Sequence, residues 1–196
     1  MLNNQRGFDA SVWTKGNKVV IKIDGSSRVN LNEIAMDWGL NDRKMFFNDL
    51  PPQFYDAQKL FKKVQSLYPG KDITATGLSL GGSLTQLLTA ANPGLKGVAF
   101  SPYGTGNIIN KYSDSLFKTR PTYNMTNYGT NTDAIFTRNL SGQIGETYIF
   151  TGPKRTFENT FTYNVDASHV MSAYKDKVLS KGKKLIKIQG KSTSRT

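Results

Sequence analysis

The sequence predicts an α/β fold, in which a mostly parallel central sheet is flanked by helices. Helical and strand patterns alternate between residues 51 and 100, as they do when each strand of a parallel sheet is followed by a crossover helix. A tight glycine turn joins one of these strands directly to the next helix. The chain has 196 residues, 37% of them hydrophobic, which is enough for one domain with a sizeable core.

The first predicted elements form a β-hairpin. Residues 10–13 and 18–23 alternate in polarity and are rich in β-branched side chains, and residues 15–17 supply the turn between them. The connection over residues 27–50 carries more apolar side chains than a simple loop needs. Those within residues 34–47 either cover a site or pack in the core, and the sequence leaves both interpretations open.

The next elements follow from helical spacing. From Pro51 to Tyr68 apolar residues recur at i, i+3, i+4 and i+7, which predicts a helix that ends at Pro69-Gly70. The later elements are predicted at residues 72–76 (strand), 82–91 (helix), 98–100 (strand) and 125–128 (strand), with a loop over residues 129–133.

Composition excludes several kinds of site. The chain has no cysteine, which excludes disulfides, thiol nucleophiles and thiolate metal sites, and its single histidine excludes histidine-rich metal sites. We therefore expect neither a metal nor a cofactor. No stretch resembles a secretory signal peptide or a membrane span. We therefore expect a cytoplasmic protein by default. The sequence is also compatible with a phage-encoded protein or with an effector that is delivered without a signal peptide.

Positive charge is concentrated towards the end of the chain. The 26 Lys and Arg against 14 Asp and Glu give a net charge of +12, which favours anionic partners. We divide the chain into one domain, residues 1–180, and a basic, flexible tail, residues 181–196. Basic tails rarely read a nucleic-acid sequence, so an anionic membrane surface is the favoured partner and nucleic acid the less favoured one. The oligomeric state stays open.

The turn at residues 77–81 reads G-x-S-x-G between a predicted strand and a predicted helix. In that setting the glycines leave room for a sharp turn, which raises the hydroxyl of Ser79 above the edge of the sheet. The backbone N–H of Leu80 points into the same space, at the positive end of the following helix dipole. The pattern indicates a serine nucleophile together with half of an oxyanion hole.

A nucleophilic serine needs a base, and His169 is the one histidine in the chain. The order serine, acid, histidine requires a carboxylate between the two. Asp133 is the favoured acid, because it lies in the loop that leaves the strand at residues 125–128, where a carboxylate can reach the imidazole. Asp166 is the second choice. The remaining acids between Ser79 and His169 are Asp114, Glu146 and Glu158.

Several stretches together resemble the class 3, or fungal-type, lipases of the α/β-hydrolase fold, a family with bacterial and phage relatives. The resemblance covers residues 8–174. Its motifs are Pro52-Gln53-Phe54-Tyr55-Asp56-Ala57 at the start of the first helix, the elbow Gly77 to Gly82, Phe100 to Asn107 around the end of the next strand, Asp133-Ala134-Ile135, and His169 to Tyr174. The resemblance implies a hydrolase domain that acts on a lipid or another acyl ester. The chain is short for such an enzyme, so we expect a compact domain with a minimal or absent lid.

By this resemblance, Ser79 would be the nucleophile, His169 the general base and then acid, and Asp133 the carboxylate that orients the imidazole. Catalysis would pass through an acyl-enzyme that water hydrolyses. The second oxyanion donor would be the backbone N–H of Ser26, because residues 24–26 match the stretch that supplies this donor in the family.

Two positions depart from the family pattern. Leu78 stands where the family has a histidine before the nucleophile, and Asp24 stands where it has an arginine. Neither position takes part in proton transfer, so the triad is retained. A carboxylate at Asp24 that faced a developing oxyanion would lower activity.

Three hypotheses follow from these patterns. The favoured one is a serine ester hydrolase, of the lipase, phospholipase or esterase kind. The second is a weakly active or inactive protein of the same fold that serves as a binding or structural protein, and the third is a basic nucleic-acid-binding protein. Activity that depends on Ser79 separates the first from the second. Salt-dependent DNA retention that needs residues 175–196 would support the third.

Overall fold

A computed structural model describes residues 2–3, 8–24, 49–113, 115–117, 122–152 and 186–189. The described strands are β1 (Leu2–Asn3), β2 (Asp9–Lys15), β3 (Lys18–Asp24), β4 (Asp72–Leu78), β5 (Lys96–Phe100), β6 (Met125–Thr130), β7 (Glu146–Phe150) and β8 (Ile186–Gln189). The described helices are α1 (Gln53–Leu67), α2 (Leu80–Ala91), α3 (Gly106–Lys111) and α4 (Ala134–Arg138), with a 3₁₀ turn at Leu140–Gly142.

These eight strands form one sheet, and their order in the sheet is their order in the chain. The strands from β3 to β7 pair in parallel. The pairings β1–β2, β2–β3 and β7–β8 are antiparallel. Parallel strands joined by helical crossovers are the predicted α/β fold. The carboxyl ends of five parallel strands therefore lie along one edge of the sheet.

Helices α1 and α2 pack on one face of this sheet. Strand β3 alternates, so that Val19, Ile21 and Ile23 are buried while Lys22 is exposed. The buried side chains of α1, α2 and the strands form one cluster, which includes Phe54, Leu60, Phe61, Val64, Leu84, Leu87, Leu88, Val19, Ile21, Ala75 and Ala99. Each large apolar side chain in it contributes about 2 kcal/mol by burial. This cluster is the hydrophobic core between the two helices and the sheet.

The predicted elements between residues 9 and 100 are confirmed, with small changes at their ends. Strand β6 runs to Thr130, two residues beyond its predicted end. Residues 186–189, inside the predicted tail, form β8 and pair with β7, so this part of residues 181–196 belongs to the sheet. The segment 34–47 lies outside the described residues. In the described parts of the chain, no helix has both the length and the apolar character needed to cross a bilayer.

Candidate active site

Ser79 is the single residue between strand β4 and helix α2, and its backbone is strained. Its φ is 55° and its ψ is −120°, a backbone conformation that residues other than glycine rarely adopt. Two backbone hydrogen bonds hold it there: its N–H donates to the Phe100 carbonyl over 3.0 Å, and its carbonyl accepts from Ser83 over 2.9 Å. The residue is half-buried. Ser79 therefore lies at the carboxyl edge of the sheet and is partly accessible to solvent.

The glycines around Ser79 allow the close approach of strand and helix. A Cβ atom at Gly77 would overlap the carbonyl group of Gly81. A Cβ atom at Gly82 would lie 3.2 Å from the carbonyl oxygens of Gly77 and Phe100, tighter than ordinary contacts. These two glycines of the G-x-S-x-G-G sequence are thus needed because a larger side chain would collide with neighbouring backbone atoms, as expected from the sequence.

Leu80 is the first residue of α2, directly after Ser79. The first four N–H groups of a helix have no acceptor within the helix, and they form its positive end. The N–H of Leu80 is one of these four.

Asp133 lies three residues after β6 and is only 1% exposed. It caps helix α4, because its Oδ1 accepts from the N–H of Ile135 over 2.9 Å and from that of Phe136 over 3.2 Å. Its Oδ2 accepts a hydrogen bond from the Ser101 hydroxyl. These bonds hold the carboxyl group of Asp133 in one fixed orientation.

Parallel pairing brings three of these residues to the same edge. Strands β4, β5 and β6 are neighbours, and Ser79, Ser101 and Asp133 follow their carboxyl ends in turn. The candidate acid Glu146 begins β7 and therefore lies at the opposite edge, where it is exposed. Three more candidate acids, Asp114, Glu158 and Asp166, lie outside the described residues.

Two of the predicted site residues, Ser26 and His169, lie outside the described residues. The two departures from the family pattern are described. Leu78 ends β4, is half-buried and lies in register with Phe100. The carboxylate of Asp24 lies 2.5 Å from the Lys22 ammonium group, two residues earlier on the same strand. This ion pair offsets the negative charge that Asp24 brings to the carboxyl end of β3.

Ser101 was not predicted as a site residue, and the structure places it between Ser79 and Asp133. It is fully buried and has a φ of 46°. Its N–H donates to the Tyr128 carbonyl over 2.8 Å. The stretch Phe100 to Asn107 is recognisable as a motif, but neither a positive φ nor a cross-strand hydrogen bond can be recognised in a serine from spacing alone.

A buried polar network joins α2 to the strand that precedes Asp133. The Gln86 side chain donates to Asn127 Oδ1 over 2.9 Å and accepts from the Thr105 N–H and hydroxyl over 3.1 and 2.9 Å. It also donates to Gln143, which itself donates to the Pro102 carbonyl over 2.8 Å. The network fixes the loop after β5 relative to both helix and sheet. Within the described residues, no cluster of acidic and histidine side chains could hold a metal ion.

No protein-family model matches the chain, and no curated protein matches it. Among solved structures it resembles a triacylglycerol lipase from Penicillium expansum, with 14% identity and a TM-score of 0.49, over 77% of this chain and 68% of that one.

Two further solved structures resemble this chain. For a Rhizomucor miehei lipase–propeptide complex the identity is 16% and the TM-score 0.48, over 76% of this chain and 53% of that one. For a lipase from Rhizopus microsporus var. chinensis the identity is 10% and the TM-score 0.46, over 85% of this chain and 68% of that one. The chain thus spans about half to two thirds of their lengths. Because the identities and TM-scores are low, the α/β assignment rests on the strand order and crossovers described above.

Proposed function

We propose that the chain is a serine ester hydrolase that acts on a lipid or another acyl ester through a Ser79–His169–Asp133 triad. The observation that carries this proposal is the backbone of Ser79, held at φ 55° between a parallel strand and a helix. Strain of this kind costs of order 1–3 kcal/mol and persists where the surrounding structure imposes it, which is common at sites of chemistry. A serine on such a turn presents its hydroxyl to a bound carbonyl.

The spacing of the strands supports the pairing of Ser79 with Asp133. Their strands, β4 and β6, are two apart in the sheet, so two interstrand spacings, about 10 Å, separate these strands. The proposal requires an imidazole ring between the two side chains that hydrogen-bonds to both. In the proposed mechanism His169 fills this place, with Nδ1–H donating to the Asp133 carboxylate and Nε2 accepting the Ser79 proton.

The reaction then has two steps. The Ser79 oxygen attacks the ester carbonyl while His169 takes its proton, and the tetrahedral oxyanion accepts hydrogen bonds from the N–H groups of Leu80 and Ser26. His169 returns the proton to the leaving alcohol, which leaves an acyl group on Ser79. Water, deprotonated by His169, then attacks the acyl carbonyl. His169 returns this proton to the Ser79 oxygen as the acyl–oxygen bond breaks, which releases the carboxylic acid and restores the serine.

We also propose that the substrate lies in an anionic lipid surface. The net charge of +12 attracts such a surface. Residues 181–196 are proposed as the tail that strengthens this attraction, and nucleic acid is the less favoured anionic partner.

The test is covalent labelling with a fluorophosphonate, followed by intact-mass and peptide-level mass spectrometry. One adduct on Ser79, absent from Ser79→Ala and His169→Ala, is the expected result. The matched control is Ser11→Ala, which removes a serine hydroxyl on β2 that accepts from Trp13 and should label like the wild type. A folded wild type that stays unlabelled would show that the fold has been kept without its chemistry, which is the binding-protein hypothesis.

A further inference from the structure

Ser101 shares an unusual property with the nucleophile. Among the described residues, Ser79 and Ser101 are the two that have a positive φ without being glycine. They occupy equivalent positions, each directly after a parallel strand, and each donates its N–H to the neighbouring strand. Ser101 is fully buried, so its strained backbone does not serve to expose the hydroxyl.

The hydroxyl of Ser101 donates a hydrogen bond to the Asp133 carboxylate. The N–H groups of Ile135 and Phe136 occupy Oδ1, and the Ser101 hydroxyl donates to Oδ2. The helix cap thus fixes the direction of Oδ1, and the Ser101 hydroxyl fixes the direction of Oδ2.

We propose that Ser101 is a positioning residue, which holds Oδ2 of Asp133 in the orientation that receives the imidazole N–H. This inference rests on the proposed hydrolase function and adds a fourth side chain to its triad. Ser101 touches neither substrate nor reacting atoms. It acts through Asp133, which sets the tautomer and the direction of His169 and so the readiness of Ser79 to lose its proton.

The strain at Ser101 supports this role. A glycine would adopt a φ of 46° at little steric cost, whereas a serine there carries a Cβ atom that disfavours it. The backbone bond to the Tyr128 carbonyl is available to either residue. What serine adds at this position is the hydroxyl that donates to Asp133.

The experiment compares Ser101→Gly and Ser101→Ala with the wild type, by the rate of fluorophosphonate labelling and by kcat and KM on a p-nitrophenyl ester. Both variants lose the hydroxyl, but only the glycine relaxes the backbone, so Ser101→Gly keeps the test valid if Ser101→Ala unfolds. Hydrogen bonds to charged groups are strong enough that we expect labelling and kcat to fall roughly ten- to a hundredfold. KM should stay within about twofold, as for an interaction made in the transition state.

Thr137→Ala is the matched control. Its hydroxyl donates over 2.7 Å to the backbone carbonyl of Asp133 instead of the carboxylate. It should therefore label within about twofold of the wild type, because the loss of a neutral hydrogen bond outside the carboxylate leaves the orientation of Asp133 unchanged. Thermal unfolding confirms that each variant is folded.

A double-mutant cycle separates positioning from a general structural role. Once Asp133→Asn has removed the carboxylate, adding Ser101→Gly should change the residual labelling rate by less than about twofold, since residues that act as a unit are non-additive. Losses that multiply would overturn the inference, as would Ser101→Gly that labels at the wild-type rate. A wild type that fails to label at Ser79 overturns the proposed function itself, so the two failures are distinguishable.

Discussion

At Ser79 the protein holds a backbone conformation that glycine would adopt more readily. The bonds from Ser79 to Phe100 and from Ser83 to Ser79 keep φ at 55° although the side chain opposes it. The strained backbone of Ser79 thus lowers the stability of the folded protein at the residue that carries the proposed chemistry.

This strain predicts an inverse relation between stability and activity at Ser79. Ser79→Gly should be more stable to unfolding than Ser79→Ala by about 1 kcal/mol, because only glycine relaxes the positive φ. Both variants should be inactive. Denaturant titration of the two purified variants measures the difference. Equal stabilities would mean that φ 55° carries no cost here.

Prediction at the residue scale depended on how local the signal was. The sharp turn at Ser79 could be predicted from its flanking glycines, since the steric need for them lies within six consecutive residues. Asp133 was one of five acids, and its position after a strand favoured it over Glu146, which the structure places at the far edge. Ser101 could not be predicted, because its partner is 32 residues away and its φ leaves no mark on the sequence.

Among the elements, α2 depends on polar contacts as well as on apolar packing. Nearly all of its side chains are buried, Gln86 among them. The Gln86 amide joins α2 to β6 through Asn127 and to the loop after β5 through Thr105. A buried network that is fully bonded fixes one arrangement of the elements it joins.

Gln86→Leu should therefore be strongly destabilising. It removes the partner of Asn127 Oδ1 and of the Thr105 N–H, and each buried polar group left without a partner costs about 1–3 kcal/mol. We expect a loss of roughly 3 kcal/mol or more in the free energy of unfolding. Gln58→Leu is the control, because Gln58 is half-buried and makes one bond to Asn92 over 3.0 Å. A loss at Gln86 no larger than at Gln58 would contradict this account.

A second contact between elements lies at the surface. Asp49, ahead of α1, accepts hydrogen bonds from the Tyr112 hydroxyl, from the Leu50 N–H over 2.9 Å and from the Lys111 ammonium over 3.2 Å. These donors, the Tyr112 hydroxyl foremost, lower the pKa of Asp49 below its ordinary value of 3.8. The same bond to Asp49 raises the pKa of Tyr112 above its ordinary 10.0.

Asp49→Asn tests this contact. Without the carboxylate, the pKa of Tyr112 should fall towards its ordinary value, which a ¹³C NMR titration of the tyrosine rings measures. Because the pKa of Asp49 is depressed in the folded state, its stabilising effect is present above the unfolded pKa and is lost as the pH falls through the folded pKa. The stability difference between wild type and variant should therefore shrink in acid. An unchanged Tyr112 titration would show that the bond is absent in solution.

Elements with strong periodicity were predictable, and those fixed by tertiary contacts were not. The helix over residues 53–67 carries its apolar stripe and its stop signals in its own sequence. Helix α4 is five residues long and is capped by the Asp133 side chain, too short for a periodic pattern. Strand β8 has four residues and depends on β7 for its hydrogen bonds, so composition alone assigned it to a tail.

At the scale of the whole molecule, the net charge of +12 determines how strongly the protein is attracted to an anionic surface. If the substrate lies in a membrane, hydrolysis of an ester lipid in anionic vesicles should be faster than in zwitterionic vesicles at low salt. The two rates should converge as salt is added, because the Debye length falls to about 3 Å near 1 M. The measurement is fatty-acid release from both vesicle types across a salt series. Equal rates at low salt would exclude a role for the charge.

The strand order of the molecule bears on how this charge should be altered. Because β8 covers the outer edge of β7, a chain shortened before residue 186 would leave a row of unpaired N–H and C=O groups along β7. Such an edge is a template for edge-to-edge aggregation. Loss of binding after truncation could then reflect self-association instead of lost charge. Lys→Gln substitutions in residues 181–196 keep the backbone of β8 and alter the charge alone.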